Sequence, residues 1–408
     1  MSVLDSLQRC TLCLLPETHE TISFDSKGVC NICRNQAKKS DIDWDIRQRE
    51  LDVLVSKYSG RGEYDYIVPF SGGKDSTYTL YYLMRRYPQL RPLVVRFNHG
   101  FLRPDLNDNC DRVFRSLGVD LHDYTPSWHI VRVLMLRSLL EKGDFCWHCH
   151  TGIFAYPMHV AIRERIPLLF WGEPSSEYTA YYSYESEEAV DEDRFNRFIN
   201  LGISASDMAL RLGDTVDPRL LNCFDYPPIE SLKAINYSSV CLGSFIPWDV
   251  RRQVSIIQED LGWRPSVVEN VPLEYGYEKI ECWLQGVRDY IKYIKRGYTR
   301  PSHLAAIDLR NGRLTLDEAR DFISHYEGFR PPSLSLFLEY LSISEDEFNH
   351  IIAQHVVSPW RPDFTAIRQG AKTHDFDSWS RGASIPRSDA EQHIKDVMPQ
   401  CLNCDSCS

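Results

Sequence analysis

Two sets of residues have spacings that could carry chemistry. The hexapeptide Ser71-Gly72-Gly73-Lys74-Asp75-Ser76 joins an apolar run, residues 64 to 70, to a helical pattern with hardly a spacer. Two glycines let the backbone close around an oxyanion, the following helix presents free N–H groups, and Lys74 and the two serines add donors. The spacing is not GxxxxGK[ST], so a γ-phosphate mechanism is not implied. Asp75 is a candidate to hold magnesium or orient the turn, or it simply caps the helix.

The second set is cysteine. Cys10-Thr-Leu-Cys13 and Cys30-Asn-Ile-Cys33 are two CxxC pairs with sixteen residues between them, each able to offer two thiolates from a tight turn to one tetrahedral ion. Four thiolates close the coordination shell, so a structural zinc ribbon is expected. Cys146-Trp-His-Cys149-His150 is a lone CxxC. Metal binding, a cluster, redox work or a helix cap all suit it. The tail carries Cys401, Cys404 and Cys407, which either wrap a metal, complete the Cys146 and Cys149 site, or stay disordered. Cys110, Cys223, Cys241 and Cys282 read as core residues.

The elements that must position these groups follow from the patterning. Residues 34 to 60 are polar with apolar positions at helical spacing, a linker and helix. Strands are expected over 64–70, 93–98 and 119–125, helices over 76–87, 105–118, 129–143 and 154–166, and an apolar run over 166–173. Alternating strands and helices imply a parallel, doubly wound α/β sheet. Ligands bind beyond the C-terminal ends of such strands, where Ser71 to Ser76 would meet Gly172, Glu173 and Glu177. Residues 174 to 235 form an acidic, tyrosine-rich insertion. Residues 244 to 247 read as a strand ahead of Trp248 and Asp249, and helices are expected from about 276. The resulting division is a ribbon (1–40), a linker helix (41–62), the α/β domain (63–275), a helical region (276–370) and a cysteine-containing tail (371–408).

With 408 residues, 57 Asp+Glu and 46 Lys+Arg give a formal charge of −11, a poor field for a polyanion such as tRNA, so nucleic acid is not the expected partner. No apolar run reaches about 18 residues and no signal peptide opens the chain, so a cytoplasmic location without a membrane span is expected.

The glycine hexapeptide between strand and helix resembles the PP-loop of the ATP pyrophosphatases, which cradles the pyrophosphate leaving ATP. The resemblance implies that Ser71, Gly72, Gly73, Lys74, Asp75, Ser76 and Gly172 bind ATP with Mg2+. Longer stretches, "FCWHCHTGI", "LLFWGEPSSEY", "LGSFIPWD" and "YIKYIKRGYTRPSHLAAIDLRNGRLTLDEA" together with the ribbon, resemble the N-acetyl sugar amidotransferase family of surface-polysaccharide (O-antigen) biosynthesis, from about residue 9 to 350. That family turns an acetamido group on a nucleotide sugar into an acetamidino group. The implied chemistry is adenylation of the amide oxygen and attack by ammonia.

Lys74, Asp75, Glu173 and Glu177 are then catalytic candidates. Trp248, Asp249, Lys295, Arg300, Arg310 and Arg313 are candidates for sugar and diphosphate recognition. No glutaminase constellation is present, so the resemblance implies separate ammonia-supplying subunits like the glutaminase and cyclase of histidine biosynthesis. Two other readings compete. A PP-loop tRNA thiolase would use an iron–sulfur cluster at Cys146, Cys149 and a further cysteine, and a non-catalytic nucleotide-binding scaffold would assemble a glycan-synthesis complex.

Overall fold

A computed structural model describes residues 4, 6–172, 174–177, 179, 188–189, 191–213, 216–373 and 387–397. Five parallel strands, β1 (Tyr66–Pro69), β2 (Pro92–Phe97), β3 (Asp120–Tyr124), β4 (Leu168–Trp171) and β5 (Ser238–Cys241), form one sheet in the order β3-β2-β1-β4-β5. The short helix α1 (Asn31–Ala37) and then α2 (Trp44–Tyr58) precede the sheet, and α3 (Lys74–Arg86), α4 (Pro104–Leu117), α5 (Trp128–Lys142) and α6 (Trp147–Glu164) alternate with its strands. The single turn α7 (Glu192–Arg194), α8 (Ala205–Leu212) and α9 (Ile229–Ala234) lie between β4 and β5, and α10 (Val250–Leu261) follows β5. The chain continues through α11 (Gln285–Arg296), α12 (Arg300–Arg310), α13 (Leu316–Tyr326), α14 (Ser333–Leu341), α15 (Glu345–Ala353) and α16 (Arg387–Val397).

Successive strand residues point to opposite faces, and β1, β2 and β4 are buried on both and almost wholly apolar, whereas the edge strand β3 is largely exposed and polar. Ile67, Leu93, Val95 and Leu169 pack with Leu134, Leu139 and Met158 of α5 and α6. Val68, Val94, Leu168 and Phe170 pack on the other face with Leu51, Leu80, Leu83 and Ile257. Each such side chain contributes about 1.5–3 kcal/mol on burial. The doubly wound α/β sheet expected from the alternation is therefore present. The C-terminal helices share the first core through Val287, Ile291, Phe337 and Phe348. At the N-terminus, the four ribbon cysteines pack with Tyr298, just before α12, and Ala306 within it.

Three elements differ from expectation. Residues 244 to 247 are not a strand: β5 ends at Cys241 and the chain turns over Leu242–Ser244. A Cβ on Gly243 would come within 2.3 Å of Pro174, so the backbone is drawn in against that loop. The helix expected from about 276 begins only at Gln285, because residues 276 to 284 form turns with Lys279 at φ 52°. Helix α6 begins at Trp147, earlier than the apolar stripe suggested, with Cys146 at its N-cap. Among the described residues no helix is long and apolar enough to cross a membrane.

Two buried carboxyls pin the C-terminal helices. Glu269 accepts from the Ser333 amide (3.0 Å) and hydroxyl (2.5 Å), and Glu327 accepts from the Ser302 hydroxyl (2.5 Å). Burial raises each to about 7, with the serine bonds opposing the rise. Their ordinary value is 4.5, so the folded chain holds more protons between those limits and loses stability as pH rises through that window. Glu327→Gln is expected to narrow the gap in melting temperature between pH 5 and pH 8, stabilising the chain at pH 8 by about 1–3 kcal/mol. An unchanged gap in thermal denaturation would contradict this.

Candidate functional site

The glycine turn sits at the C-terminal end of β1, where the chain leaves for β2 on one side and β4 lies on the other. This is the switch point at which doubly wound sheets bind ligands. Gly72 has φ 86°, and a Cβ there would lie 2.6 Å from Cys110 Sγ, so both conformation and space require glycine. Ser76 Oγ accepts from the amides of Ser71 (3.2 Å) and Gly72 (3.3 Å), and Trp263 Nε1 donates to the Gly72 carbonyl at 3.1 Å. The turn is thus shaped before any ligand arrives. Gly172 at the end of β4 allows equally close approach: a Cβ would lie 2.8 Å from Thr79 Oγ1 and 3.0 Å from the Asp75 carbonyl oxygen.

Lys74 opens α3 and is only 3% exposed. Its Nζ lies 2.7 Å from Asp75 Oδ2 and 3.1 Å from Glu278 Oε1. Burial works against ionisation of Glu278, but Lys74, Lys279 and Arg300 offset it and hold the carboxyl below its usual range. Asp75 Oδ1 is buried with no hydrogen-bond partner among the described residues, the state of a carboxylate oxygen placed to take a cation. Glu281 Oε1 lies 3.4 Å from Ser71 Oγ, which brings a second carboxylate to the turn.

A cavity of about 310 Å³ opens over this turn. Its walls include Ser71, Asp75, Ser76 and Gly172, the strand ends Val95 and Phe97, and Cys146, Cys149 and Cys282. Burial pushes the Cys282 thiol up to about 12 and those of Cys146 and Cys149 well above the ordinary value. The sequence suggested that Cys282 was core, yet it is a half-buried wall residue beside the CxxC pair.

A second cavity of about 340 Å³ adjoins the first. Six cations, Lys279, Arg288, Lys292, Lys295, Arg296 and Arg300, face four carboxylates, Glu20, Asp144, Glu278 and Asp289. Arg300 is committed to Asp289 by two bonds of 3.0 Å. Lys292 (3.4 Å) and Arg296 (3.3 Å) pair with Glu20 of the ribbon. Lys295 donates to the carbonyls of Lys142 (2.8 Å) and Gly143 (3.2 Å). The balance leaves the cavity electropositive, a site for a multiply charged anion.

Of the residues singled out in the sequence, the structure brings Ser71, Asp75, Ser76, Gly172, Cys146 and Cys149 to the walls of the first cavity, and Lys295 and Arg300 to the second, while Gly72, Gly73 and Lys74 complete the turn without lining it. Another group gathers elsewhere, at the seam of α1, α10 and α12. Glu177 pairs with Lys39 and its carbonyl accepts from Arg310 (3.0 Å). Asp249 caps α10 and pairs with Arg313 at 2.8 Å. Trp248 is 4% exposed and stacks edge-on with Tyr78. These residues line neither cavity. Glu173, Cys401, Cys404 and Cys407 lie outside the described residues. Glu278, Lys279, Glu281, Cys282 and Arg288 were missed in the sequence. Their only signal was a dense run of charges around Gly276 and Gly286.

The ribbon cysteines converge as their spacing requires. The ligand atoms of Cys10, Cys13, Cys30 and Cys33 lie within 4.8 Å of one another, all buried. Amides of Leu12 (3.4 Å) and Cys30 (3.2 Å) point at Cys10 Sγ, and that of Cys33 (3.3 Å) at Cys30 Sγ, bonds that favour thiolate. The cluster is consistent with a zinc ribbon and fits one tetrahedral ion.

The sheet, its switch point and the glycine turn define a parallel, doubly wound α/β protein, consistent with the PP-loop type. Residues 269–380 match the family model described as the C-terminal domain of WbpG-like LPS biosynthesis proteins. This bears out the likeness to the N-acetyl sugar amidotransferase family. The uncharacterized protein MJ1599 of Methanocaldococcus jannaschii is 27% identical over 147 residues, 35% of this chain and 50% of that protein. The match thus spans half the length of that relative. Among solved structures, the U34-tRNA thiolase NcsA from Methanococcus maripaludis with its 4Fe-4S cluster aligns over 79% of this chain and 89% of its own, at 14% identity and TM-score 0.26. At that score the sheet order and turn of the chain itself carry the fold class.

Cys10→Ser is expected to remove about one metal ion per chain and to lower the melting temperature, since a four-thiolate site contributes folding energy directly. Elemental analysis of purified protein checks this. Metal content equal to that of the unaltered chain would contradict it.

Proposed function

We propose that the chain is an ATP-dependent amidotransferase that converts the acetamido group of a nucleotide sugar to an acetamidino group in lipopolysaccharide biosynthesis. The observation that carries this reading is the adjacency of the two cavities. One is built on the PP-loop, and the other is electropositive and lined largely by residues 278 to 307, inside the segment that matches the WbpG-like domain.

In the proposed reaction the amide oxygen attacks the α-phosphorus of ATP and pyrophosphate departs with the bonding electrons. Ammonia then adds to the imidate carbon, and AMP leaves carrying the former amide oxygen. An amide is a poor electrophile, and adenylation converts its oxygen into a leaving group. The PP-loop amides, Ser71 and Ser76 would hold the departing pyrophosphate, with Lys74 released from Glu278 to neutralise it. Asp75, through its unpartnered oxygen, and Glu281 are the candidate magnesium ligands. The diphosphate of the nucleotide sugar would occupy the electropositive cavity against Lys295 and Arg300. Zinc is the proposed ribbon ion. Ammonia would come from separate glutaminase and cyclase-like subunits, and the need for ATP makes the cytoplasm the proposed compartment.

A second reading is favoured by one observation. Cys146, Cys149 and Cys282 line the same cavity as the PP-loop, an arrangement that would suit an iron–sulfur cluster and a tRNA thiolase. Protein purified without oxygen that carries iron and labile sulfide would promote it.

The amidotransferase reading predicts stoichiometric AMP and pyrophosphate from ATP only when an acetamido nucleotide sugar and ammonium are both supplied. Lys74→Met and Asp75→Asn should each lower that rate by about 100-fold or more, the scale of losing a preorganised charge partner of the transition state. AMP formation that ignores the sugar, or variants at full rate, would contradict it.

A further inference from the structure

We propose that Lys279 and Arg288 form a bridging cation pair that holds the reacting phosphate at the junction of the two cavities. The proposal rests on the reading above insofar as ATP occupies the loop cavity and a nucleoside diphosphate the electropositive one.

Among the described residues, these two alone line both cavities. The remaining cations of the electropositive cavity already have partners: a carboxylate for Lys292, Arg296 and Arg300, and main-chain carbonyls for Lys295. Lys279 and Arg288 have no side-chain hydrogen bond and no ion pair among the described residues. Asp144 and Asp289 act on Arg288 through space and Glu278 on Lys279, but no acceptor engages either side chain directly, which leaves their donors open to an anion.

The backbone supports the same conclusion. Lys279 holds φ 52°, a left-handed conformation that is unfavourable for a non-glycine residue and persists where the surroundings require it. It follows directly on Glu278, which binds Lys74, and two residues before Glu281, which reaches Ser71. Arg288 lies in the first turn of α11. One short segment therefore connects the PP-loop, the partition and the second cavity.

Adenylation gives this position a task. The new bond joins an oxygen of the ligand in one cavity to the α-phosphorus of the ligand in the other, while the bond to the β-phosphate oxygen breaks. Negative charge grows on the phosphoryl oxygens at that point, and a guanidinium can bind two of them at once. A cation pair reached from both cavities would neutralise that charge and fix where the ligands meet.

Calorimetric titration of the full chain with α,β-methylene-ATP, which cannot be cleaved at the reacting bond, and with UDP in the presence of that analogue tests the pair. Lys279→Met and Arg288→Met are each expected to weaken both probes by about tenfold or more, the scale of a lost charge-assisted bond. Lys295→Met should weaken UDP alone. Melting curves establish that each variant is folded, and Lys279→Gln and Arg288→Gln provide a second set with the same expected result. A folded variant that weakens only one probe, or neither, overturns the pair, as does a wild-type chain that binds the ATP analogue but not UDP. If both probes bind and both variants weaken them, yet no acetamido nucleotide sugar consumes ATP, the pair stands and the proposed reaction fails.

Discussion

The buried ion pair between Lys74 and Glu278 is the interaction around which the site is assembled. A lysine at the start of α3, almost without solvent, requires a carboxylate, and removing one partner of such a pair costs about 3–5 kcal/mol. Glu278 supplies that carboxylate from a segment some two hundred residues away in sequence. The pairing draws the turns at 276 to 284 over the PP-loop, and these turns become the partition between the two cavities. Arg300, 3.8 Å from the other Glu278 oxygen, carries the connection into α12. A change in the partner of Lys74 is therefore felt by the charges of the second cavity.

The ribbon belongs to the same arrangement. Its loop between the CxxC pairs brings Glu20 to Lys292 and Arg296, while Tyr298 donates to Glu20 at 2.6 Å. Thr18 donates to the Arg296 carbonyl at 2.5 Å. A metal ion that fixes the four cysteines thus also fixes one wall of the electropositive cavity. The four-cysteine ribbon is far from the glycine turn in sequence but only one cavity away in space.

Local patterns made much of this legible in the sequence. The strand, glycine turn and helix around Ser71 to Ser76 are a local signal with a local cause, as are the paired CxxC turns of the ribbon, and the alternation of elements specified a parallel sheet. The partition was not legible, because "YEKIECWLQ" has an apolar spacing compatible with a helix. Long-range contacts hold it in turns: Glu278 with Lys74, Glu281 with Ser71, and the backbone of Glu281 to Trp283 with Phe101 to Arg103. Cys282 looked like an isolated core thiol for the same reason: its neighbours Cys146 and Cys149 are distant in the chain. Trp248, Asp249, Arg310 and Arg313 are of types suited to sugar or phosphate recognition. They instead meet one another and Glu177 at a seam, a pairing that residue type alone does not reveal.

The central claim is that an amide oxygen is transferred to the α-phosphorus of ATP. The most direct measurement supplies an acetamido nucleotide sugar labelled with 18O in its amide carbonyl, together with ATP and ammonium, and weighs the AMP released by mass spectrometry. The account predicts AMP heavier by one 18O, with the label lost from the sugar product. Unlabelled AMP would show that the oxygen attacking the phosphorus came from elsewhere, and would contradict the account.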